Sequence, residues 1–82
     1  MKVFQVTLTG LNEIEKKPES NSAVIVVEEE KSKIWIWKGS AATPHDFYRA
    51  STNATRLKSQ MGLFKARPII VEEGHEPNDF PL

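Results

Sequence analysis

Two short runs constrain this fold more than anything else in the chain. Ala23-Val24-Ile25-Val26-Val27 and Ile34-Trp35-Ile36-Trp37 are apolar at every position. Successive side chains of a strand point to opposite faces, so each run must bury both of its faces. A sheet built around them has to be covered on both sides. The residues between them, Glu28-Glu29-Glu30-Lys31-Ser32, are all charged or polar. They read as the turn of a hairpin in the middle of the sheet.

A helix is the obvious cover for one side. Thr43 suits an N-cap, Pro44 the first helical position, and Asp46 the acidic partner three residues after the cap. Phe47, Ala50, Ala54, Leu57 and Met61 follow at helical spacing and form one apolar stripe. Gly62 suits the stop. The predicted helix over 44–61 is about 27 Å long. Burial of Phe47, Leu57 and Met61 contributes about 1.5–3 kcal/mol each, so a polar residue at 57 should unseat it.

The remaining elements are shorter. Residues 2–9 alternate and read as a strand, with Phe4, Val6 and Leu8 on the more buried face and Val3, Gln5 and Thr7 on the other. Residues 11–22 are mostly polar, contain Pro18 and Ser20-Asn21-Ser22, and read as a surface loop. Ile69-Ile70-Val71, after Pro68, reads as a short buried strand. Residues 73–82 form a turn-rich tail with Pro77 and Pro81.

Composition narrows the function classes. The 82 residues suit one domain, 1–82, whose core is thin because a chain this short buries only about 60% of its unfolded surface. There is no cysteine, hence no disulfide and no thiolate chemistry. Eleven basic residues balance eleven acidic ones, so no net charge draws the chain to nucleic acid or an anionic membrane. No apolar run approaches the roughly 20 residues of a membrane span, and no apolar signal block follows Met1. The expectation is a cytoplasmic protein that does not span a membrane. His45 and His75 lack a zinc spacing, no serine sits in a nucleophile elbow, and no phosphate loop or dinucleotide fingerprint is present. The chain reads as a non-enzyme.

Three segments then stand out together: Trp37-Lys38-Gly39 at the end of a strand, Ala50 in the helix, and Gly74-His75-Glu76-Pro77 followed by Phe80. In this order and spacing they resemble the gelsolin/villin family over nearly the whole chain, in particular the minimal single-domain gelsolins of archaea. The resemblance implies an α+β gelsolin-like domain: a mixed sheet of about five strands, one long helix on one face, and a short helix on the other. With only two residues after Phe80, that second helix is expected to be truncated or missing.

It also implies a function. Domains of this family that bind actin tightly place the long helix in the barbed-end cleft of actin, capping filaments or sequestering monomers. The core stripe faces the sheet, so actin would meet the opposite side of the helix. That side holds His45, Tyr48, Thr52, Thr55, Arg56 and Ser59, with Arg49 at its flank. Tyrosine and arginine are strong interface anchors; the plain alternative is the polar face every surface helix has. Tight binders of the family carry bulky apolar residues near the position of Thr52, so weaker binding is expected. Leu63 and Phe64 would either add apolar contact or fold into the core, the latter being the simpler reading. Severing should be weak, since it needs a second domain.

The family's calcium site uses an acid at the start of the second strand and an acid early in the helix. Asp46 matches the helix acid, although capping alone explains it. The strand acid is replaced by Asn21-Ser22, neutral oxygens only, so calcium binding should be weak or missing. A second calcium, shared with actin through an acid late in the helix, has Lys58 at the matching position. A lysine there cannot ligate calcium but can pair with the actin carboxylate, against the plainer reading of a solvated cation. The cluster Arg56, Lys58, Lys65 and Arg67 resembles the phosphoinositide-binding clusters of gelsolins, although four charges also make an ordinary solvated surface. The competing function is a structural protein-interaction domain of the same fold with a non-actin partner, as in vesicle-coat proteins.

Overall fold

The computed structural model describes residues 1–7, 10–15 and 17–82. Its elements are β1 (Lys2–Thr7), β2 (Gly10–Glu13), β3 (Ala23–Glu28), β4 (Lys33–Lys38), α1 (Pro44–Gln60) and β5 (Pro68–Glu72). The strands form one sheet of five, in the order β2-β1-β3-β4-β5. Leu8 and Thr9, the expected end of the first strand, lie outside the described residues.

The pairing follows from the connections. A 3-10 turn at Glu29–Lys31, closed by Ser32 in the left-handed region (φ 53°), joins β3 to β4 as an antiparallel hairpin. The crossover through α1 returns the chain so that β5 runs parallel to β4. The sheet is therefore mixed, as the resemblance implied.

Alternation along the central strands splits the core into two layers. Ala23, Ile25, Val27, Ile34 and Ile36 face α1 and meet Ala50, Ala54 and Leu57, with Phe47 and Met61 at the margin. Val24, Val26, Trp35 and Trp37 face away and pack with Val3, Val71 and Phe80. No residue of Ala23–Val27 is more than 1% exposed, which is what two-sided burial requires.

The helix begins and ends where its sequence directs. Thr43 Oγ1 accepts the Asp46 N–H and Asp46 Oδ2 accepts the Thr43 N–H, both at 3.1 Å, a reciprocal cap. At the other end Gly62 turns left-handed (φ +70°), Leu63 N–H donates to Lys58 C=O (2.9 Å) and Gly62 N–H to Ser59 C=O (3.3 Å). That is the Schellman pattern, and it lets Leu63 fold back against the core.

Two expectations are corrected. The stretch read as a loop from residue 11 contributes most of β2, which pairs with β1 through Gln5↔Asn12 and Val6↔Leu11. Gly-Leu-Asn-Glu has little strand propensity; an edge strand needs only one ladder, which β1 supplies. The expected burial of Ile69-Ile70-Val71 holds only for Val71: Ile69 is 37% and Ile70 59% exposed. β5 is an edge, and α1 packs mainly over β3 and β4. On the second face, turns of the tail take the place of a helix among the described residues; Phe80 and Ile14 cover it.

Candidate functional site

The motif residues are held in the fold's own framework. Gly39 is pinned against the turn before β3: its N–H donates to Ser22 C=O (3.0 Å), and Ala41 N–H donates to Ser20 C=O (2.9 Å). A Cβ on Gly39 would lie 2.0 Å from Ser20 O, so only glycine fits there. The Trp37 indole N–H donates to Glu76 Oε2 (3.0 Å), and Glu76 Oε1 accepts the Gly74 N–H (2.8 Å). The Trp35 indole donates to Glu28 Oε1 (2.7 Å), and Phe80 meets the Trp35 ring edge-on at 5.3 Å. Both indoles are thereby buried with their one donor satisfied.

Carboxylates clamp the tail to the sheet. Glu73 accepts from the Ser40 backbone N–H (2.8 Å) and the Ser20 hydroxyl (2.7 Å), which together hold its pKa below the ordinary glutamate value. The Trp37 indole does the same for Glu76, and Lys33, 3.2 Å away, for Asp79. These contacts bring the tail, the strand ends and the turn at residues 20–22 into one hydrogen-bonded unit. The sequence reading did not single out Glu73; its signal would have been the serines at both loops it must bridge.

The outward side of α1 is arranged as its periodicity predicts. His45, Tyr48, Thr52, Thr55, Arg56 and Ser59 are exposed, while Arg49 and Lys58 are half-buried. Tyr48 is 71% exposed, the large ring of this face. The face is less polar than its composition suggests. Thr52 Oγ1 donates to Tyr48 C=O (3.1 Å), Thr55 Oγ1 to Ser51 C=O (3.2 Å) and Asn53 Nδ2 to Arg49 C=O (2.8 Å). These donors are already engaged, so a partner covering the face has fewer of them to strip of water. Of the two residues after the helix, Leu63 packs on the core as the simpler reading expected, but Phe64 is 71% exposed. Of the basic cluster, Arg56, Lys65 and Arg67 are exposed and Lys58 is half-buried.

The residues named for calcium fit it poorly. Asp46 Oδ2 is committed to the helix cap. The Ser22 hydroxyl donates to Glu19 C=O (2.7 Å) and its carbonyl accepts Gly39 N–H, while Asn21 is exposed in the turn. Among the described residues no cluster of three or more His, Cys, Asp or Glu could hold a metal ion. One carboxylate already in use is a weak donor set for a hard dication.

Solved structures with this architecture include the Thorarchaeota protein ProGel, crystallised in complex with rabbit actin. It superposes with a TM-score of 0.81, covering 93% of this chain and 89% of ProGel at 19% sequence identity. The fold is that of a gelsolin-like domain. Thorarchaeota 2DGel3, also crystallised in complex with rabbit actin, gives a TM-score of 0.80 at 18% identity, covering 96% of this chain and 40% of 2DGel3. No protein-family model matches the sequence, and no curated protein matches it. In this gelsolin-like domain no described helix is long and apolar enough to cross a membrane.

Proposed function

We propose that this chain is a binding module that docks the outward face of α1 against actin, in the barbed-end cleft, and so sequesters monomers or caps filaments. The observation that carries the reading is Tyr48, a 71% exposed ring on a helix whose neighbouring hydroxyls are turned onto their own backbone. The shared fold with two domains crystallised on actin supports the choice of partner. Around Tyr48, Arg49 and Arg56 supply charge, Thr52, Thr55 and Ser59 the flat surface, and Lys58 a cation toward an actin carboxylate. The docking is metal-independent, because Asp46 serves the cap and Lys58 stands where a shared calcium would need an acid. Severing is weak.

The test is pyrene-actin polymerisation with this protein titrated in, once with calcium and once with chelator. Equal inhibition in both is expected. Tyr48→Glu should weaken inhibition about tenfold or more, since a central aromatic anchor carries 2 kcal/mol or above at an interface. Its fold should be intact, as the ring is exposed. Inhibition by Tyr48→Glu equal to the parent's would refute docking by this face. No effect of the parent on actin would instead favour a structural interaction domain with another partner.

A further inference from the structure

The two edges of the sheet differ. β2 is short and polar, with Asn12 and Glu13 exposed. Such an edge discourages pairing. β5 presents Ile69-Ile70-Val71 at its centre, with Ile70 59% exposed, and no described strand pairs with its outer side. Nothing in the actin reading uses this edge.

The backbone of β5 fixes what it can accept. Glu73 N–H donates to Lys38 C=O (2.9 Å), so residues in phase with it, Ile69 and Val71, also address β4. Pro68, Ile70 and Glu72 therefore turn their backbone groups outward. Two of these groups are missing from the outer edge: proline has no N–H, and Glu72 C=O already accepts His75 N–H (2.9 Å). The outer edge thus offers the Pro68 carbonyl, the Ile70 N–H and carbonyl, and the Glu72 N–H.

We propose that β5 pairs antiparallel with β5 of a second copy about a two-fold axis at Ile70, joining the two sheets into one. In this register Ile70 exchanges both hydrogen bonds with Ile70 of the second copy. Each Glu72 N–H donates to the Pro68 carbonyl opposite. The missing proline N–H falls against the carbonyl that His75 already occupies, so neither defect leaves an orphan. Sliding by two residues either way sets an Ile70 group opposite a missing or occupied one. Sliding by one sets outward groups against inward ones. The exposed Ile70 side chains meet at the axis, about 5.5 Å apart at Cα.

The experiment is sedimentation equilibrium of the full chain from micromolar to millimolar concentration, with hydrogen exchange followed by NMR at both extremes. The expected result is a mass rising toward twice the monomer. With it, exchange at the Ile70 and Glu72 amides should slow tenfold or more, while Ile69 and Val71 are protected at every concentration. Ile70→Lys, which sets like charges together at the axis, should remain monomeric with an unchanged circular dichroism spectrum. A monomeric mass throughout, or a dimer that Ile70→Lys leaves intact, would overturn the proposal. So would protection of the edge amides that does not depend on concentration.

Discussion

Replacing Gly39 with alanine is the sharpest test of how this fold is locked. The added Cβ would sit 2.0 Å from Ser20 O, 2.6 Å from Ser20 C and 2.8 Å from Ser22 O. All three are backbone atoms, so no side chain can rotate away. The strand end must move by about 1 Å to restore ordinary contact. Two hydrogen bonds oppose that movement, Gly39 N–H to Ser22 C=O and Ala41 N–H to Ser20 C=O. Losing or stretching both costs about 2–4 kcal/mol, since each is worth near 1 kcal/mol and a stranded partner adds more. A domain of this length has roughly 4–12 kcal/mol in all. Thermal melting followed by far-UV circular dichroism should show Gly39→Ala melting about 10–25 °C below the parent. Gly62→Ala is the control, because its site has φ +70° but nothing within 4 Å of the new Cβ. It should be destabilised only by left-handed strain, about 1–2 kcal/mol. If Gly39→Ala melted within a few degrees of the parent, or no lower than Gly62→Ala, the close approach could not be what fixes glycine there.

Two further expectations concern the tail. Phe80→Ala removes a ring that is 8% exposed and set edge-on against Trp35, so it should cost about 3 kcal/mol and red-shift the tryptophan emission; an unshifted spectrum would mean that the tail does not shield the indole. The pKa values of Glu73, Glu76 and Asp79 are all held down in the folded state, so the charged forms stabilise it. That stability is fully present above the ordinary carboxylate range and is lost as pH falls through the lowered folded values. Melting temperature should therefore hold from neutrality to about pH 5 and drop below about pH 4. Glu76→Gln should shallow that drop; an equally steep one would remove Glu76 from the account.

What could be read from the sequence was what the backbone and the core dictate. The central hairpin was legible because both faces of β3 and β4 are apolar, and α1 because Thr43, Asp46 and Gly62 mark its ends chemically. β2 was not, since its pairing is imposed by β1 rather than by its own residues. The exposure of Ile69 and Ile70 was not either, because burial of an edge strand depends on where a distant helix stops. A three-residue apolar run looks the same at the centre of a sheet and at its rim.

The same contrast explains why the family pattern and the functional face carry such different weight. Trp37, Gly39, Gly74, Glu76 and Phe80 answer to one another within the chain. The indole needs its carboxylate, the strand end needs a residue without a side chain, and Trp35 needs a ring above it. Such demands are met or failed inside one molecule, and the fold they hold superposes on ProGel with a TM-score of 0.81 at 19% identity. The outward face of α1 answers to none of the other described residues. Among the described residues the side chains of Tyr48, Arg56 and Ser59 have no partner, and the hydroxyls of Thr52 and Thr55 bond only the preceding turn. Their identities are free to follow whatever surface they meet. Substitutions there should leave melting nearly untouched while changing actin inhibition, and substitutions in the tryptophan–glutamate framework should do the reverse.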